Sequence, residues 1–292
     1  MPHPAPWIGF DRLVNLLRDR SVAVLSGAGV STESGIPDYR GPETRTTDHS
    51  PIQYSEFLKE PETRRHYWAR SAVGWPSFDA ATPNEGHRAL AALEAAGIVS
   101  GIITQNVDRL HQAAGSERVV ELHGALAEVR CLDCDTLFSR HTLQERLKQL
   151  NPGWDERAAE LAPDGDADLP RSATRSFRVP SCRSCGGTLK PHVVFFGENT
   201  APTRVEQAWT LLEESDALLV TGSSLTVYSG FRFVRGAVQN DQPVGIVNLG
   251  TTRGTPLSSV QVDGKTGEVL PQLAAALDAS PEAPSQTRTA HI

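Results

Sequence analysis

The chain's four cysteines fall in two C-x-x-C pairs, Cys131 with Cys134 and Cys182 with Cys185. The first residues, 1–7, carry no Lys or Arg and no apolar run, so they do not read as a signal or transit peptide. Without a secretory signal, thiols paired at this spacing read as metal ligands rather than disulfides. Four thiolates close a tetrahedral site, which predicts one structural Zn2+ per chain. Any fold that closes such a site brings residue 131 beside residue 185. The segment between the pairs must loop out and return. It holds a predicted helix near 142–150 and a polar stretch, 162–168. The Asp alternation there lacks the terminal Glu of an EF-hand and reads as a solvated loop.

On either side of this module the pattern is α/β. Leu13, Leu16 and Leu17 have helical spacing, and a short apolar strand follows at 22–25. A glycine-rich turn comes next, in the strand–turn–helix order of a nucleotide-binding unit. Residues 85–96 predict a helix stopped at Gly97, 98–104 a buried strand, 106–114 a short helix stopped by Gly115, and 119–122 a strand. Beyond the cysteines, 202–215 predict a helix, 217–220 and 244–247 strands, and 221–224 a turn. Strands alternating with helices imply a parallel sheet with crossovers. The expected architecture is a Rossmann-type sheet built from about 10–41, 86–125 and 200–279. A helical insertion at about 42–85, a zinc module at about 126–190 and a disordered tail at 280–292 complete it, with 1–279 forming the catalytic domain.

Composition narrows the function classes. Hydrophobic residues make up 39 % of the chain, enough for a packed core. No apolar run is long enough for a membrane span, so no membrane association is expected. The net charge of −7 argues against a nucleic-acid binder and fits basic, lysine-bearing partners. A cytoplasmic monomer is the resulting expectation.

Gly27, Ala28 and Gly29 follow the first strand directly. Glycines there let the backbone approach a pyrophosphate, and a following helix N-terminus would attract its charge. A tight structural turn explains them equally well. Thr32 stands where a G-x-G-x-x-G fingerprint has its third glycine, so hydride transfer is disfavoured. Residues 27–41 in full (GAGVSTESGIPDYRG) resemble the NAD-binding signature of the sirtuins, the NAD-dependent protein deacylases. Residues 104–108 (TQNVD) and 122–124 (LHG) resemble their second and third signatures. Residues 222–225 (GSSL) and 247–250 (VNLG) resemble their adenosine-holding segments. The likeness runs from about residue 10 to 278. Residues 161–166 (LAPDGD), 189–197 (LKPHVVFFG) and 227–233 (VYSGFRF) resemble the class II branch, with His192 where an Asp is expected.

This resemblance implies an NAD-dependent lysine deacylase that transfers the acyl group to ADP-ribose and releases nicotinamide. It also implies the site. His123 would be the general base, its near-neutral pKa suited to a ribose hydroxyl. Asn106 and Asp108 would hold the nicotinamide and ribose, although both could simply be N-caps of the short helix. Gln105 and Val107 would flank them. Ser31, Thr32, Glu33, Ile36, Asp38, Tyr39 and Arg40 would cover NAD as an ordering loop. Gly222, Ser223 and Ser224 would meet phosphate or ribose. Asn248, Leu249, Gly250 and Thr266 would meet the adenosine half. Val193, Val194, Phe195, Phe196 and Gly197 would form an edge on which a substrate peptide pairs, or else a core strand. The alternatives are a mono-ADP-ribosyltransferase, a long-acyl or lipoyl-lysine deacylase, and a catalytically silent NAD-binding module. In the stretch 44–49 after Arg40, Arg45 has no partnered Tyr, so a specialist for negatively charged acyl groups is disfavoured.

Overall fold

The computed structural model describes residues 7–39, 52–154 and 165–279. Arg40 and the tail expected to be disordered lie outside the described residues. Helix α1 (Phe10–Leu17) leads into strand β1 (Val22–Ser26). Two helices, α2 (Tyr54–Lys59) and α3 (Pro61–Asp79), precede α4 (Glu85–Ala95). Then come β2 (Val99–Thr104), α5 (Leu110–Ala113) and β3 (Val119–Glu121). The cysteine segment supplies β4 (Gly124–Cys131), β5 (Leu137–Ser139), α6 (Arg140–Leu150) and β6 (Leu189–Val193). The chain ends with α7 (Pro202–Glu213), β7 (Ala217–Thr221), α8 (Tyr228–Gln239), β8 (Val244–Asn248), β9 (Val260–Asp263) and α9 (Thr266–Ala276).

Six strands form one parallel sheet in the order β3-β2-β1-β7-β8-β9. Its two faces are read directly from β1. Val22 and Val24 pack with Leu13, Leu90 and Leu270 on one side. Ala23 and Leu25 pack with Leu211, Phe233 and Val234 on the other. A strand buried on both faces needs apolar residues at every position, which is why the run at 22–25 does not alternate. The strand order reverses between β1 and β7. In doubly wound sheets a crevice opens at the carboxyl ends of the strands at that point.

A second, antiparallel sheet of order β5-β4-β6 carries the cysteines. Its core is shared with the helical insertion. Phe57, Tyr67 and Trp68 pack in one cluster with Val129, Cys131, Leu143, Cys182 and Leu189. Arg140 is buried in this junction, 4.9 Å from the centre of the Trp75 ring, and donates to the Ser71 carbonyl at 3.1 Å.

Three local expectations are corrected. Among the described residues no α-helix directly follows Gly29; two short 3-10 turns, Ala28–Val30 and Thr32–Ser34, stand there instead. The helix expected at 106–114 begins only at Leu110, after Arg109 in a left-handed conformation (φ 62°), so Asn106 caps nothing. Of the extended stretch at 193–197, only Val193 belongs to a strand; Val194 pairs with the His123 carbonyl and Phe196 bridges to Gln53.

Candidate functional site

A cleft of about 1170 Å³ opens where the strand order reverses. That exceeds the roughly 300–1,000 Å³ of an ordinary single-ligand site. It is lined by the glycine turn, the 3-10 turns, the loop after β2, His123, the 193–197 stretch, the loop after β7, and the segments at 248–251 and 264–266. The structure thus brings every described candidate cofactor and substrate residue to one cleft.

The glycines bring two loops together. A Cβ on Gly29 would lie 2.9 Å from the Gly222 carbonyl oxygen, and one on Gly27 would lie 2.7 Å from Ser223 Cβ. Gly222 itself has φ +57°, and a Cβ there would reach 2.4 Å from the Val30 nitrogen. The Gly29 N–H donates to Gly222 O at 2.8 Å and Gly27 N–H to Thr221 O at 3.0 Å. So the turns after β1 and β7 press backbone to backbone, and this loop packing is what requires glycine. Thr266 Oγ1 donates to Gly29 O at 3.3 Å, and Glu33 accepts from Gly267 N–H at 2.7 Å. Those contacts tie the N-terminus of α9 to the same turn. Asn248 donates to the carbonyls of Leu249 and Gly250, fixing that corner.

Beneath the cleft floor runs a buried polar chain. Ser31 Oγ donates to Asp108 Oδ2 at 2.7 Å and accepts from Asn106 Nδ2 at 3.1 Å. His87 Nε2 lies 3.5 Å from the same hydroxyl. Asn106 Nδ2 also donates to Gly27 O. Asp108 Oδ1 accepts from the Leu110 N–H at 2.9 Å. Burial pushes the Asp108 carboxyl above its ordinary range, and the bonds from Leu110 and Ser31 hold part of that rise back. One further imidazole, His111, lies below. His87 and His111 stack edge to face at 4.9 Å.

His123 stands between β3 and β4. Gly124 is needed after it: φ is +83°, and a Cβ there would reach 2.0 Å from the His192 carbonyl oxygen. His123 Nδ1 lies 3.0 Å from the Gln105 carbonyl, which can only accept, so Nδ1 carries the proton. Nε2 therefore presents its lone pair, 2.8 Å from Ser229 Oγ. The near-neutral pKa expected for His123 is corrected. Burial lowers it to about 4, with Arg232 and Arg204 adding to the effect and the Gln105 carbonyl opposing it. The ring is an unprotonated base throughout the neutral range.

His192 does not line the cleft. Its Nδ1 is 3.0 Å from Glu128 and its Nε2 accepts from Arg204 at 3.2 Å. It bridges acid and base behind the site, a task an Asp could not perform toward Glu128. The sequence reading missed Ser229 and Arg232, which line the cleft, and the buried pair of Lys190 with Glu198 at 2.9 Å below Phe195. Val227 to Phe233 was legible as a motif, but nothing local marks Ser229 as a partner of His123. Tyr39 meets Phe196 edge on across the cleft.

The four cysteines converge at the tip of the second sheet, their sulfurs all within 4.8 Å of one another. Cys131 and Cys185 are 3.5 Å apart, and Cys134 and Cys182 are 3.8 Å apart. Zinc–sulfur bonds of about 2.3 Å in a tetrahedron give sulfur separations of about 3.8 Å, whereas a disulfide would need about 2.05 Å. The donor set fits structural zinc.

Fold and site together define a dinucleotide-binding α/β protein with a thiolate metal module. The Sir2 family pattern matches residues 27–229, and the chain belongs to that family. It is 53 % identical to the NAD-dependent protein deacetylase 1 of Streptomyces coelicolor, over 90 % of this chain and 88 % of that one. It is 46 % identical to the mitochondrial NAD-dependent protein lipoamidase sirtuin-4 of Bos taurus, over 92 % and 87 %. A solved complex of Sir2 with a p53 peptide and NAD+ is 29 % identical, with a TM-score of 0.73 over 94 % of this chain and all of that one. Among the described residues, no helix is long and apolar enough to cross a membrane.

Proposed function

We propose that this protein is an NAD-dependent protein lysine deacylase that removes acetyl or larger acyl groups. The observation that carries the reading is His123, whose Nε2 lone pair faces a cleft floored by Asn106, Ser31 and Asp108. NAD would supply the ribose carbon that takes the acyl oxygen, and one water would release the lysine, so that nicotinamide, free lysine and O-acyl-ADP-ribose are the products. His123 takes a proton from a ribose hydroxyl at Nε2 while Gln105 holds its Nδ1–H. Asp108 and Asn106 hold the nicotinamide end, and their fixed hydrogen bonds to Ser31 orient them before the ligand arrives. Gly222, Ser223, Ser224 and the 248–250 corner hold phosphate and adenosine. Phe195 to Gly197 pair with the substrate backbone beside the His123 carbonyl.

The inner wall of the cleft is apolar, with Ile36, Phe78, Leu126, Val107 and Val193 in one cluster. That wall supports an acyl group larger than acetyl as a second activity of the same site. A reducing cytoplasm suits the protein, because it keeps four thiols available for zinc.

The test is a mass-spectrometric panel of acetyl-, longer-acyl- and lipoyl-lysine peptides with NAD, following peptide mass, nicotinamide and self-ADP-ribosylation. The expected result is nicotinamide released in step with deacylated peptide, lost in His123→Ala while NAD binding persists. Nicotinamide release unchanged in His123→Ala would overturn the assignment, and ADP-ribosylated protein without deacylation would replace it.

A further inference from the structure

Both nitrogens of His123 are held, and the holders are locked to each other. Nδ1–H donates to the carbonyl of Gln105, on the loop after β2. Nε2 meets the hydroxyl of Ser229, in the first turn of α8, at 2.8 Å. Gly230 is pressed on Gln105: a Cβ at 230 would lie 2.5 Å from Gln105 Oε1 and 2.7 Å from its Cδ. The Gln105 side chain in turn donates to Ser223 Oγ at 2.8 Å and to the Ser26 carbonyl at 3.2 Å. The backbone of Ser229 is fixed as well, its carbonyl accepting from Arg232 Nε at 3.0 Å. The imidazole is therefore gripped from two elements that meet where Gly230 packs on the Gln105 side chain.

We infer that Ser229 is a positioning residue for His123, its hydroxyl holding the Nε2 lone pair in line with the cleft until a substrate hydroxyl takes that place. Since Nδ1 is the protonated nitrogen, Nε2 can only accept, and the serine hydroxyl donates to it. Serine is suited to this. Its hydroxyl both donates and accepts, and it swings away by one rotamer change when a better donor arrives. Ser229 also lines the cleft, so the displaced hydroxyl stays beside the reacting atoms. The charged groups acting on His123 are Arg232 from α8 and Arg204 from α7. Substitution of Ser229 leaves both in place. The inference rests on His123 being the general base of the deacylase reading.

The experiment uses the full chain with 15N-labelled histidine. In resting wild-type enzyme the His123 Nε2 signal, assigned by its loss in His123→Gln, should be that of a hydrogen-bonded acceptor nitrogen. In Ser229→Ala it should move to the position of an unbonded one. With acetyl-peptide and NAD, Ser229→Ala should lose about five- to tenfold in kcat, the worth of one ordinary hydrogen bond, with KM for NAD unchanged. Ser229→Thr, which keeps the hydroxyl, should restore both readings. An unmoved nitrogen signal, or a wild-type kcat in Ser229→Ala, overturns the inference. The nitrogen reading needs no substrate, so it stands or falls apart from the deacylase assignment.

Discussion

Acid should destabilise this protein through its buried imidazoles, His123 among them and His87 and His111 most deeply. His87 and His111 are 0 % and 1 % exposed, and burial lowers their pKa values to about 4 and about 3, each helped by a neighbouring cation or imidazole. Their hydrogen bonds say why the neutral form is required. His87 Nδ1 accepts from the Asn84 backbone N–H, in the capping box that starts α4, and a proton there would face that donor. His111 Nε2 lies on Ser26 Oγ, while its buried Nδ1 has no partner among the described residues, so a second proton would find no acceptor among them. In the unfolded chain both rings return to about 6.5. Their stabilisation is therefore complete above that value and is lost as pH falls toward 4. Between pH 7 and pH 5 each ring binds nearly one proton on unfolding, a cost of about 2 kcal/mol apiece and about 4 kcal/mol together. That is a large part of a typical stability of roughly 5–15 kcal/mol. Asp108, whose pKa is raised, works in the opposite direction and returns part of it. Urea denaturation at the two pH values measures the loss. Zinc release at low pH adds to it, so the decisive reading is the difference between variants. His111→Gln should reduce the pH 7 to pH 5 loss by about 2 kcal/mol, whatever its stability at pH 7. An equal loss in wild type and variant would refute the reasoning, because it would mean that His111 is not held neutral in the fold.

The acid limb of kcat/KM should fall near pH 4 rather than 6.5, since His123 must lose its proton to act; a pH–rate profile with a limb at 6.5 would mean that the ring is better solvated than its neighbours imply. Metal analysis should find about one zinc per chain, and Cys182→Ser should lose it and lower the melting temperature through the cluster that Cys182 shares with Trp68 and Leu143. Gly124→Ala should cost about 2 kcal/mol or more by denaturation and remove most nicotinamide release, because its Cβ would strike the His192 carbonyl directly behind the base.

What could be read from the sequence divides along a physical line. The run at 22–25 announced a doubly buried strand, and the two C-x-x-C pairs announced a closed thiolate site, because strand burial and ligand spacing are local. The cleft residues were legible as motifs, yet motif and cause differ. Gly27 and Gly29 looked like a phosphate turn, and the structure gives them a second reason, the pressure of Gly222 across the sheet. No local signal could have shown this, since the partner lies in a segment after β7. The same separation hid Ser229. It is 106 residues from His123, at the start of a helix whose period says only which face is apolar. The pKa of His123 was misjudged for the same reason. A near-neutral value belongs to a solvated ring, whereas this one is set by burial and by Arg204 and Arg232, contributed by two later helices. His192 shows the converse. It stood out as a departure from the class II pattern, and its contacts with Glu128 and Arg204 lie behind the cleft. Long-range pairing therefore decides which polar residues act on substrate and which support those that do. In this fold the supporting set converges on His123, which takes the proton, and on the Asp108–Ser31–Asn106 chain, which holds the nicotinamide end.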